Sequence, residues 1–160
     1  MSLVRFLMLL SLVVWVGGIA FFAFVLAPTV FHPGILPSRQ LAGAVVSRSL
    51  SILHWIGLGS GTVFLVTSMI DSQVLNGVPN LFNARNLLVC AMILLTLISM
   101  FAISTRMLDL RSQMVSIDDV PHDDARRVEF NRLHVWSTRL ESTVLLLGLV
   151  VIFLTSRRLS

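Results

Sequence analysis

The residues able to do chemistry in this chain are histidines and acids placed within long apolar segments. His54 and His134 both interrupt such segments, and Glu141 follows His134 by seven residues. On a helix this spacing places His134 and Glu141 on one face, two turns apart. A charge at membrane depth costs at least about 2.5 to 3.5 kcal/mol unless another group satisfies it. We therefore expect these side chains to face a protein interior or a polar cavity.

Further polar residues share the same helical faces. The face of the last helix that carries His134 and Glu141 includes Arg127, Asn131, Thr138 and Gly148. An earlier helix presents a matching face with Ser47, Ser51, His54 and Gly61. Both helices begin at the same end of the predicted bundle, so His54 and His134 are expected at similar depth in the membrane. His32, Arg48 and Met107 fall near that end too, and the sequence predicts one polar cluster there.

Such a cluster admits several chemistries. His54 and His134 could be the axial ligands of haem b, or could bind copper with Met107 as a soft ligand for Cu(I). Alternatively, the histidines make interhelical hydrogen bonds, while Glu141 pairs with Arg48 or remains protonated. A third interpretation is a proton or small-solute pathway in which Glu141 and His134 titrate. The spacing is a signature of none of these.

A second group of residues predicts close helix packing. Trp15, Gly18 and Phe22 lie on one face of the first helix, so Gly18 lets another helix or a flat ligand approach between two aromatic rings. Gly57 and Gly61 offer a similar small-residue face on the second helix. We expect these five residues to pack helices together or to wall a pocket.

The helices that position these residues can be predicted from the composition and from the apolar runs. The chain has 160 residues and is 56% hydrophobic, with a mean hydropathy of +0.89. A soluble core of this size cannot bury so much apolar surface, so lipid must cover part of it. Apolar runs separated by proline, glycine and capping residues predict helices over 3–28, 38–71, 82–115 and 121–157. We expect one all-α domain over 1–160, a four-helix transmembrane bundle with helices 3 and 4 extended beyond the bilayer.

The charged residues limit which partners the protein can have. All 12 basic side chains are arginines, scattered between apolar runs and not clustered, which argues against a nucleic-acid partner. Most, Arg111 among them, flank the first and third connections, so the positive-inside rule places both chain ends outside. We expect a multi-pass protein of the bacterial inner membrane, in contact with the lipid bilayer and with other membrane proteins or copies of itself.

Two segments carry a resemblance to a known family. Residues 15–31 read WVGGIAFFAFVLAPTVF and residues 130–137 read FNRLHVWS. They resemble the transmembrane-protein-205-like family, small four-helix membrane proteins related to the copper-resistance-protein-D-like proteins. The resemblance implies a four-helix membrane fold and a link to metal tolerance.

The sequence thus predicts a small integral membrane protein that handles copper through a polar site inside the bundle, without catalytic turnover. The alternatives are a haem b redox protein and a structural or assembly subunit of a membrane complex. None of the common motifs of soluble enzymes, such as a phosphate-binding glycine loop, is present.

Overall fold

The computed structural model describes residues 2–78, 81–114 and 120–159, which form four long helices and no strand. Helix α1 covers 2–30 as Ser2–Phe21, a π-helical segment Phe22–Leu26 and a last turn Ala27–Val30. Helix α2 is Arg39–Asn76. Helix α3 consists of Ala84–Ile98, a second π-helical segment Ser99–Ser104, and Thr105–Ser112. Helix α4 is Ala125–Leu159.

All four helices are long and apolar enough to cross a membrane. Their candidate spans contain 28, 37, 29 and 33 residues, whereas a hydrocarbon core of about 30 Å needs about 20. The predicted all-α, four-helix transmembrane architecture is therefore confirmed. At about 1.5 Å per residue, α3 and α4 are also longer than the hydrocarbon core is thick. By its helices, the chain is a multi-pass membrane protein.

The helix ends carry recognisable caps. The Ser38 side chain accepts a hydrogen bond from the Leu41 amide at 3.2 Å and so caps the start of α2. Gly77 ends that helix with a φ of 74°, in the left-handed region where glycine has no Cβ penalty. Asn83 caps α3 by accepting from the Asn86 amide at 3.0 Å. These caps are local, which is why the sequence indicates them.

The helix bounds differ from the predicted ones by a few residues. Helix α2 continues to Asn76, five residues past the predicted end at 71. The predicted end of the third helix, residue 115, lies outside the described residues. Helix α4 begins at Ala125 because Asp124 accepts from the Arg126 amide at 2.8 Å. The Arg126 side chain also bonds the Asp124 carboxylate and lowers its pKa to about 2.

The centre of the bundle is packed around Trp15. This ring, 2% exposed, lies directly on the backbone of α2 at Gly57 and Gly61. A Cβ at Gly61 would come within 2.7 Å of the ring, and one at Gly18 within 2.8 Å of Leu53. Small residues at these positions let α1 and α2 approach closely, as is common between membrane helices. This packing fixes the first two helices relative to each other.

The helices form a ring in chain order, and the two π-helical segments lie toward one end of it. Helix α1 packs on α2, α2 on α3, α3 on α4, and Ser2–Phe21 also on α4. We call the end where α1 and α3 finish and α2 and α4 begin the cavity end. Phe22–Leu26 and Ser99–Ser104 both approach it, and π-helical segments often occur at functional sites.

Because Trp15 contacts α2 at Gly57 and not at Gly59, we expect replacement by alanine to affect stability differently at these two glycines. Gly57→Ala places a Cβ against the buried Trp15 ring and should destabilise the protein by about 1 to 3 kcal/mol. Gly59→Ala, whose Cβ meets nothing within 4 Å, is the matched control and should not lower stability. Thermal unfolding in mild detergent, followed by circular dichroism, compares the two variants. Equal unfolding temperatures would contradict this packing.

Candidate functional site

A buried, hydrogen-bonded pair of side chains joins α2 and α4 near their middle. His54 Nε2 lies 2.7 Å from Glu141 Oε1, and the two side chains are 2% and 14% exposed. Both atoms are acceptors when unprotonated, so a proton lies between them. His54 Nδ1 is buried and has no hydrogen-bond partner among the described residues. We call these two residues the His54–Glu141 pair.

A third helix reaches the same carboxylate. Ser99 Oγ, fully buried at the start of the π-helical segment of α3, lies 3.5 Å from Glu141 Oε1. Ser99 was missed from the sequence, where it is one small hydroxyl in an apolar run. Ser99 is the first of six π-helical residues in the middle of a span, a position that the structure shows and the sequence does not. Three helices therefore converge on one carboxylate oxygen.

A cavity of about 880 Å³ extends from this pair to the cavity end, and all four helices line it. Its walls are largely apolar and aromatic, with Phe22, Phe24, Phe31, Phe101 and Phe130. Its charged lining residues are Arg39, Arg111, Arg127 and Glu141. Small-molecule sites in proteins typically combine this size with apolar walls and a few polar groups.

The cavity is open because α1 separates from α4. The segment 2–21 packs against α4, but in the described structure no Cα atom of 22–30 comes within 8 Å of one in α3 or α4. Residues 22–30 pack on α2 alone. Phe24, in this segment, lines the cavity and is 74% exposed. Because the cavity lies between these diverging segments, we infer that it opens sideways between α1 and α4, both of which have apolar outer faces.

Arg111 is half-buried in the cavity wall and has no carboxylate partner among the described residues. Its guanidinium donates from Nη1 to Ser47 Oγ at 3.0 Å and stacks over the Phe130 ring at 5.6 Å from the centroid. It approaches α2 closely, since a Cβ at Gly43 would come within 2.6 Å of Nη2. From the sequence Arg111 was interpreted as a membrane-edge charge. Its place in the site depends on the contact with Gly43, which the sequence does not display.

The predicted site residues divide into two groups. His54, Glu141, His134, Met107, Thr138 and Asn131 line the cavity. His32 does not; it is exposed, with Nδ1 2.9 Å from its neighbour's carbonyl, Pro33 O. Arg48 is exposed on α2 outside the cavity. The partner of Glu141 is therefore His54 and not Arg48.

The packing residues lie nearer the middle of the bundle. Trp15, Gly18, Gly57 and Gly61 hold α1 and α2 together, and Phe22 forms part of the cavity wall. A metal site of three or more His, Cys, Asp or Glu side chains is absent from the described parts of the chain.

The opposite end of the bundle holds a second buried charge that the sequence did not single out. Asp71 of α2 is 5% exposed and its Oδ1 lies 3.2 Å from Arg5 Nε of α1. Ser68, about one turn earlier on α2, and Ser72, the next residue, are buried too. This ion pair ties α1 to the far end of α2.

Comparison with known proteins places the chain in a family. A family model described as "Domain of unknown function (DUF4149)" matches residues 10–116, about two thirds of the chain. The chain belongs to the DUF4149 family. The matched part of this DUF4149 protein includes His54, Ser99 and Arg111, whereas Glu141 follows it. No curated protein and no solved structure matches the chain.

The DUF4149 match does not extend to the family that the sequence resembles. Nothing in the comparisons connects this DUF4149 protein with the transmembrane-protein-205-like or copper-resistance-protein-D-like proteins. That resemblance remains a hypothesis.

The His54–Glu141 pair predicts strong coupling in the DUF4149 protein. His54→Ala and Glu141→Ala should each destabilise it, because each leaves the other group buried without its partner. The double variant should be less damaging than the sum, with a coupling energy of about 1 to 3 kcal/mol. Thermal unfolding of the four proteins in detergent measures it. His134→Ala, an exposed histidine of the same cavity, is the control and should change stability by less than about 0.5 kcal/mol; additive effects at His54 and Glu141 would contradict the pairing.

Proposed function

We propose that this DUF4149 protein binds a small membrane-resident molecule between its helices, without chemical turnover. The observation that carries the proposal is the cavity of about 880 Å³, with the buried His54–Glu141 pair at its inner end. A cavity of that size holds a whole small molecule.

The side opening favours a ligand that arrives from the bilayer. The gap between 22–30 and α4 lies between helices that lipid surrounds, and its rim carries the exposed ring of Phe24. The walls beyond it are largely apolar, with several phenylalanines, so an apolar chain or ring that enters from lipid moves from one apolar environment to another. A strongly hydrated solute would have to leave water for these walls, at considerable cost.

The His54–Glu141 pair supplies the polar contact at the inner end. Glu141 is 14% exposed and lines the cavity, so its carboxyl group can meet a ligand. The carboxyl oxygen Oε1 is held by its 2.7 Å contact with His54 Nε2. Ser99 limits its movement, because the Ser99 hydroxyl lies 3.5 Å from the same oxygen. A fixed polar group in an apolar cavity orients a ligand and selects against molecules that leave it unpaired.

The location of the protein and its relatives are part of the same proposal. We place the protein in the bacterial inner membrane, and we retain its resemblance to the transmembrane-protein-205-like family as a hypothesis about its relatives. The geometry of the cavity, as the described residues form it, is independent of both hypotheses.

Photolabelling tests the binding proposal. Protein in nanodiscs is exposed to two diazirine-bearing probes of equal chain length, hexadecanol and palmitate, and labelled peptides are identified by mass spectrometry. At least one probe should label cavity residues, and Ala23→Trp, which fills the cavity wall, should reduce labelling several-fold. Ala44→Trp, at an exposed alanine outside the cavity, is the matched control. Cavity labelling by neither probe, or equal labelling of both variants, would reject the proposal.

Copper handling is the second candidate, because His54, His134 and Met107 all line the cavity. Imidazole and thioether groups suit Cu(I), and His54 could offer Nδ1 to the metal while its Nε2 keeps the contact with Glu141. Elemental analysis of protein purified in mild detergent should then show stoichiometric copper that a His54→Ala/His134→Ala variant lacks. Copper retained in that variant, or absent from the native protein, would exclude these ligands. An absorption spectrum of the same sample would show a Soret band if the two histidines held haem b.

A further inference from the structure

We propose that the ligand carries an anionic head group, a carboxylate or a phosphate, on an apolar chain, and that Arg111 binds this head group. The inference rests on the proposed binding function and names the chemical class of the molecule bound.

Arg111 is built into the cavity wall as a cation with unused hydrogen-bonding capacity. Of its donors, Nη1 reaches Ser47, while Nε is buried with no hydrogen-bond partner among the described residues. No carboxylate in the described parts of the chain lies within 4.0 Å of it. A guanidinium in this state is matched by a carboxylate or phosphate, which can accept two parallel hydrogen bonds.

Packing holds Arg111 in place independently of any ligand. Its Nη2 fits against the backbone at Gly43, where a Cβ would come within 2.6 Å, and its plane lies over Phe130. A side chain fixed in this way loses little conformational freedom when an anion binds. Gly43 and Ser47 are one turn apart on α2, so this helix supplies both the space and the hydrogen bond.

The charge balance of the cavity favours an anion. Among its described lining residues are three arginines, Arg39, Arg111 and Arg127, but a single carboxylate, Glu141, which already pairs with His54. Arg127 donates to the carbonyl of Val120, a neutral partner, and its buried Nε has no hydrogen-bond partner in the described parts of the chain. The cavity therefore has an excess of positive charge that no described side chain neutralises.

The positions of these groups suit an amphipathic molecule. Ser47, the partner of Arg111, precedes His54 by seven residues on α2, a rise of about 10 Å toward the cavity end. An anionic head at Arg111 thus lies near the membrane surface and clear of the Glu141 carboxylate. The aromatic rings of Phe22 and Phe24 border the space through which an apolar chain reaches the side opening.

Competition in the photolabelling assay tests the inference. Unlabelled palmitate, lysophosphatidate, hexadecanol and inorganic phosphate compete for the cavity with the hexadecanol probe in native protein, Arg111→Gln and Arg111→Lys. Palmitate or lysophosphatidate should compete about tenfold to a hundredfold better than hexadecanol in native protein, as a charge-assisted pair predicts. Arg111→Gln should abolish that advantage while probe labelling persists, and Arg111→Lys should restore part of it. Arg48→Gln, at an exposed arginine outside the cavity, should leave it unchanged.

The outcomes separate this inference from the binding proposal. Equal competition by palmitate, lysophosphatidate and hexadecanol in native protein would overturn the anionic head group while leaving a cavity for neutral molecules. An unchanged advantage in Arg111→Gln would overturn the role of Arg111. Competition by inorganic phosphate as strong as that by lysophosphatidate would overturn the apolar chain. A preference for either anionic amphiphile supports the inference and identifies the head group. Absence of any cavity labelling would reject the binding proposal itself.

Discussion

The structure depends on the close approach of α1 and α2 at Trp15. In a bilayer, apolar side chains gain nothing by leaving lipid for one another, so helix association depends on tight contacts that lipid tails cannot match. The flat face of Trp15 against Gly57 and Gly61 is such a contact. It fixes α1 and α2 near their middle, where Ser2–Phe21 also packs against α4. Beyond that point 22–30 follows α2 alone, and the cavity is the space that this divergence leaves.

Most of the fold could be predicted from the sequence because its causes are local. Apolar runs of membrane-spanning length define the four helices, and Ser38 marks the start of α2 by a cap that involves only its own turn. The π-helical segments could not be predicted in this way. Phe22–Leu26 contains no proline, glycine or charge that would distinguish it from α-helix, and its conformation belongs to the folded bundle.

The candidate site was predictable where helical spacing determines it. His54 and Glu141 were expected on inward faces, and the structure joins them at 2.7 Å. Arg48 was expected to approach Glu141, but it precedes His54 by six residues, a spacing that turns it well away from the His54 face at about 100° per residue. Arg111 could not have been assigned to the site, because its location depends on Gly43 of another helix. Spacing within one helix is visible in a sequence, whereas the fit between two helices is not.

The gap between α1 and α4 determines which concentration matters to a ligand that enters there. Such a molecule first dissolves in the lipid, so occupancy of the cavity follows its mole fraction in the bilayer and not its aqueous concentration. A change in membrane composition would then alter the fraction of protein occupied even if the contacts with the cavity were unchanged. Phe24, 74% exposed at the rim, would meet this two-dimensional solution directly. The protein would in that case respond to the membrane as a solvent whose composition the cell itself controls.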